Sequence, residues 1–148
     1  MSEKLRNEVI KAFGVNSTPP TLLACDEILL QNSECNELLS RLLGVKWIDI
    51  SYPKKFWSLC CSSEIWTGCL PNSWYQYYLP AMVLVADTGF DAASENLRDS
   101  LLRLIERGQS AVVNLNDRSY IIFSSLSETQ KNSIRFFHAR FTDGEDSK

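Results

Sequence analysis

The chain has one histidine, two methionines and no Cys-x-x-Cys pair among its five cysteines. Each shortage closes a route. A lone imidazole, His138, leaves nucleophilic catalysis with a single candidate base, and then only if the fold brings a cysteine or serine beside it. Zinc is disfavoured, because tetrahedral sites draw on paired ligands at short spacing and Cys25, Cys35, Cys60, Cys61 and Cys69 do not supply them. Gly-rich phosphate loops, H-E-x-x-H and G-x-S-x-G motifs are missing. Nothing in the sequence asks for a cofactor.

A surplus of one charge is lacking as well. Fifteen basic against eighteen acidic side chains leave a net charge of −3, which argues against non-specific nucleic-acid binding and suits a neutral or basic protein partner. The two lysines of "PKKFW" at 53–57 are too few for a nucleic-acid stripe. A membrane span is not expected either. Ile65 to Ala86 carries no charge, but Asn72, Ser73 and Gln76 are polar, Gly68 and Pro71 interrupt the run, and no basic cluster flanks it. The start, "MSEKLRNEV", has no apolar signal region, so the odd number of cysteines reads as reduced, mostly buried thiols of a cytoplasmic protein.

What the chain does have is helical periodicity. With 148 residues, 45% hydrophobic and 22% charged, it can bury a substantial core without a staple. The expected fold is mainly α: a single compact helical domain over 1–142, a polar tail at 143–148, and a small two-stranded β element near 110–123. Ser2 caps a first helix carrying Leu5, Val9 and Phe13, which stops at Gly14. "STPP" at 17–20 starts a second helix through "TLLACDEILL", and Ser33 caps a third with Leu38, Leu39, Leu42 and Leu43. "KWIDISYP" alternates partly and reads as a short strand or an extended crossing. Asp91 to Gly108 is the clearest helix, with Leu97, Leu101, Leu104 and Ile105 on one face. "AVVNL" and "SYIIF" around "NDR" have the composition of a hairpin. Ser127 with Gln130 forms a capping box for a last helix with Ile134, Phe137 and Phe141 inside.

The stretch "WYQYYLPAM" at 74–82 is the most apolar part of the chain. Pro80 lacks the N–H that would bond residue 76, which predicts a kinked or broken pair of helices over 71–78 and 80–87. Apolar on every side, they belong at the centre of a core. All four tryptophans fall between Trp47 and Trp74, so a second expectation is a partly exposed aromatic groove lined by Tyr52, Trp57, Trp66 or Trp74. Lys131, Arg135 and His138 share the last helix and, with Arg140, would form a contact for an anion or an acidic protein surface.

"LPNSWYQYYLPAM", together with "TPP" at 18–20, Trp47 and "FSSLSETQKNSIRFF", resembles a family of small uncharacterised bacterial proteins of unknown function that share a YYLPA-type aromatic helix. The specific match is Tyr77 to Ala81, and residues 110–123 have no counterpart in it. The resemblance implies a bacterial source and a mostly helical fold, and no activity. The functional expectation is a non-enzymatic protein-binding protein, with an immunity protein that neutralises a cognate toxin as its concrete form. The alternatives are a small enzyme or ligand-binding domain with an aromatic-lined pocket, His138 or a cysteine being reactive, or an adaptor subunit of a larger assembly.

Overall fold

A computed structural model describes residues 2–21, 33–110 and 116–142. In chain order the elements are α1 (Glu3–Phe13), α2 (Ser33–Leu42), a 3-10 turn (Trp47–Ile50), α3 (Pro53–Leu59), α4 (Ser63–Cys69), α5 (Asn72–Thr88), α6 (Ala92–Gly108), α7 (Arg118–Ser124) and α8 (Glu128–Thr142). Among the described residues none is in a strand, and no helix is long and apolar enough to cross a membrane. The expected second helix over 21–30 and the tail at 143–148 lie outside the described residues, except Thr21.

Local chemistry sets most helix ends. The Ser2 Oγ accepts from the Leu5 N–H at 3.1 Å, and the Asp91 Oδ1 accepts from the Ser94 N–H at 2.8 Å. Ser127 and Gln130 exchange reciprocal bonds of 3.0 and 3.1 Å, which completes the expected capping box. Gly14, at φ 73°, closes α1 with its N–H on the Ile10 carbonyl. Gly108 is the last residue of α6, where the sequence places the helix end, and a Cβ there would stand 2.6 Å from the Phe123 Cβ, so its missing side chain also lets α7 approach.

α5 is the centre of the fold, with α1, α3, α6, α7, α8 and the 3-10 turn packed around it. It runs as one continuous helix through Pro80, where the sequence predicted a kinked or broken pair, so the break is not formed. Proline inside a helix costs about 3 kcal/mol. Fully burying Met82, Val83, Leu84 and Val85 gains about 1.5–3 kcal/mol each, and all four are 0% exposed. The packing outweighs the break. Buried residues of every described helix join one hydrophobic cluster around this element.

The β element near 110–123 is corrected. "AVVNL" lies outside the described residues, and "SYIIF" belongs to α7. Asp117, read as part of a turn, caps α7 by accepting from the Ser119 N–H at 2.8 Å, and Ile122 and Phe123 turn into the core. A short apolar run fits either period, and here tertiary packing selected the helix. "KWIDI" likewise forms a 3-10 turn instead of a strand, which places Trp47 and Ile50 on one buried side three residues apart. Pro53 then occupies the first position of α3, where its missing N–H costs nothing.

A second correction concerns the thiols. Cys35, in the first turn of α2, and Cys69, the last residue of α4, form a disulfide with Cα atoms 5.0 Å apart. Cys60 and Cys61 are free, and Cys25 lies outside the described residues. Nothing at a separation of 34 residues signals such a pair; only the packing of α4 on α2 brings it together.

Three distant segments meet at Asp87. Its carboxylate, 0% exposed, accepts from Arg140 Nε at 2.7 Å and from the Ser2 backbone N–H at 3.0 Å. Replacing Asp87 with alanine is expected to destabilise the fold by about 2–3 kcal/mol in urea unfolding. That is below the usual loss for a fully buried pair, because Arg140 keeps some access to water. A loss under about 0.5 kcal/mol would show that this junction contributes nothing.

Candidate functional site

The predicted aromatic groove divides between core and surface. Trp66 and Trp74 are 0% exposed, which removes them from any docking face. The Trp66 ring stacks on Phe56 at 3.9 Å and its Nε1 donates to the Cys60 carbonyl at 3.0 Å, while the Trp74 Nε1 donates to the Thr21 carbonyl at 3.3 Å. Trp57 is half-buried against the core, with its Nε1 donating to Ser94 Oγ at 3.0 Å. These residues went inward because each apolar ring is buried while its polar atom still finds an acceptor.

Tyr52 stays at the surface, 50% exposed. The Arg6 guanidinium lies 4.5 Å above its ring and donates to its hydroxyl at 2.7 Å and to Ser51 Oγ at 3.1 Å. A residue of α1 thus contacts both the ring face and the hydroxyl of Tyr52.

The basic face of α8 is largely occupied from within. Lys131 and Arg135 sit 5.8 and 5.6 Å from the Phe123 ring centroid. Arg135 also donates to Gln109, Glu128 and Asn132. His138 Nε2 is 3.0 Å from Glu106, and Thr142 Oγ1 is 3.2 Å from its Nδ1. Arg140 is bound to Asp87. Arg135, His138 and Arg140 therefore already have partners within the fold, unlike the open anion contact that the sequence suggested. Cys60 and Cys61 line a different hollow of about 260 Å³ with Glu34, Glu37 and Arg41. There burial pushes the Cys60 thiol above its ordinary pKa, which favours the protonated form.

A cleft of about 470 Å³ was not anticipated. It opens between α4, α5, α6 and α7 and is lined by Thr67, Tyr75, Ser100, Arg103, Leu104, Glu106, Arg107, Arg118 and Ser119. Spacings of three and four residues put Ser100, Arg103, Leu104 and Arg107 along one stripe of α6, beside the core stripe of Leu97, Leu101 and Ile105. Arg118, at the start of α7, lies 4.9 Å over the Tyr75 ring and donates to the Leu70 carbonyl.

Two polar groups on residues that line this cleft lack a protein partner among the described residues. The Arg118 Nε is buried without an acceptor, and the hydroxyl of Tyr75, a residue only 2% exposed, has no hydrogen bond among the described residues. Burial pushes Tyr75 far above the ordinary tyrosine pKa against the opposing pull of Arg118, so the hydroxyl keeps its proton and donates. Burial also lowers the Arg118 pKa, an effect that Tyr75 opposes. Arg107 bonds Asp117 at 2.6 Å and holds its carboxyl below the usual range. A signal was legible: Arg103 and Arg107 are like charges four residues apart, an arrangement that costs a helix stability unless something anionic sits beside it.

Comparison with family models, with curated proteins and with solved structures finds no match to this chain.

Proposed function

We propose that the chain is a non-enzymatic bacterial protein that acts by occupying a partner protein, with Tyr52 as its anchor. One observation carries this reading: Tyr52 is half exposed, and Arg6 both covers its ring and bonds its hydroxyl. Tyrosine and arginine are favoured anchors at protein interfaces, and a side chain bonded before docking has less conformational entropy to lose on binding. Val15, Leu43 and Phe90 are the other large exposed hydrophobics among the described residues, and for none of them is a cation stacked on the side chain.

The concrete form proposed is an immunity protein that neutralises a toxin. Such a role needs a compact fold, a complementary surface and a modest negative charge, here −3. The bacterial source rests on the Tyr77–Ala81 resemblance. A cytoplasmic setting belongs to the proposal and rests on the uneven number of cysteines. The Cys35–Cys69 bond pulls against it, since disulfides persist mainly in oxidising compartments. The small-ligand alternative is favoured by one observation, the arginine-lined cleft.

The test is capture of a partner by the tagged protein and by its Tyr52→Ala variant, using a lysate of the source organism and purified products of the adjacent genes. One stoichiometric protein partner is expected. Its affinity is expected to fall about 30-fold in the variant, with an unchanged melting temperature. Equal affinity in the two would remove Tyr52 as the anchor, and recovery of no protein partner would sink the reading itself.

A further inference from the structure

We propose that the cleft between α4, α5, α6 and α7 binds a small organic phosphomonoester, with Arg103, Arg107, Arg118 and the Tyr75 hydroxyl as its donors. This inference is independent of the Tyr52 surface.

The charge and the donors match that class. Three guanidinium groups line the cleft against one carboxylate, Glu106, which is itself paired with His138. Among the described residues the Arg107 side chain is paired with Asp117 alone, and Arg103 has no side-chain hydrogen bond or ion pair. The Tyr75 hydroxyl stays protonated at neutral pH, so it acts as a donor. Ser100 and Ser119 add further hydroxyls at the wall.

A carboxylate offers two oxygens and one charge, which leaves part of this donor set unused. A phosphomonoester offers three acceptor oxygens and a charge near −2, and arginine recognises phosphate through paired N–H bonds. The cleft is also larger than a bare phosphate needs. At about 470 Å³ it falls in the range of small-molecule sites, and Leu104 with the Tyr75 ring supplies apolar wall for an organic substituent.

The experiment is calorimetric titration of the full chain, at fixed ionic strength, with phenyl phosphate, inorganic phosphate and benzoate. The same titrations are repeated on Arg103→Ala and Tyr75→Phe. Both variants are chosen to stay folded: Arg103 is exposed, and Tyr75→Phe removes only the unpartnered hydroxyl, so its melting temperature is expected to be unchanged or raised. Phenyl phosphate is expected to bind at one site, at least tenfold more tightly than either inorganic phosphate or benzoate. Each substitution is expected to weaken it about tenfold, the size of one lost hydrogen bond to a charged group. No heat of binding for phenyl phosphate with the folded wild-type chain would overturn the proposal. Affinity untouched by both substitutions would also overturn it, by placing the site elsewhere. Benzoate binding as tightly as phenyl phosphate would overturn the phosphate assignment, and inorganic phosphate doing so would overturn the organic part.

Discussion

Trp66→Ala is expected to destabilise the fold by about 4 kcal/mol, within the usual range for deleting a buried tryptophan. Three contacts are lost together. The indole is stacked 3.9 Å from Phe56, meets Tyr78 edge-on at 6.4 Å, and donates to the Cys60 carbonyl at 3.0 Å. Alanine leaves a cavity between α3, α4 and α5 and an orphaned carbonyl at the end of α3. Urea unfolding, followed by the near-ultraviolet signal of the remaining tryptophans, measures the loss. The prediction also separates two roles for the same residue. A surface anchor would lose partner affinity at nearly unchanged stability, whereas a core residue loses stability first. A drop below about 1 kcal/mol would return Trp66 to the surface, against its 0% exposure.

Reduction of Cys35–Cys69 is expected to lower stability by about 3–4 kcal/mol, the chain-entropy value for a loop of this length. The bond closes 34 residues and thereby restricts the unfolded chain across α2, the 3-10 turn, α3 and α4. Urea unfolding with and without a thiol reductant gives the difference, and a Cys60→Ser, Cys61→Ser double variant removes the two free thiols from exchange. A change under about 1 kcal/mol would mean that α2 and α4 hold their contact without the crosslink. Rapid alkylation of intact source cells adds the compartment. Labelled Cys35 and Cys69 agree with the proposed cytoplasmic setting, and a fully protected pair assigns the chain to an oxidising one.

How much of the candidate site was legible varies with its distance along the chain. Tyr52 was named from composition alone, but its contact with Arg6 joins residues 46 positions apart and no pattern announces it. The like-charge pair Arg103 and Arg107 stood in plain view on one helix. Its meaning came only when α5 and α7 brought Tyr75 and Arg118 to the same cleft. Lys131, Arg135 and His138 share one helix as their spacing predicts, yet in the fold Gln109 and Glu128 bond Arg135, and Glu106 faces His138. Helix faces follow from spacing, whereas the neighbour across a face does not.

By itself the sequence determined what depends on residues within one helical turn: the Ser2 and Asp91 caps, the Ser127–Gln130 box, the end of α1 at Gly14, and the core stripes of α1, α6 and α8. These signals are local, and backbone hydrogen bonding reads them without help. Tertiary structure decided the rest. It carried α5 through Pro80, because surrounding helices bury its apolar side chains at a gain larger than the cost of the proline. It turned "SYIIF" into a helix, because Gly108 admits Phe123 at close range. It also joined Cys35 to Cys69 and lined up the arginine cleft, since contacts between segments far apart in the chain form only once the packed core holds them within reach.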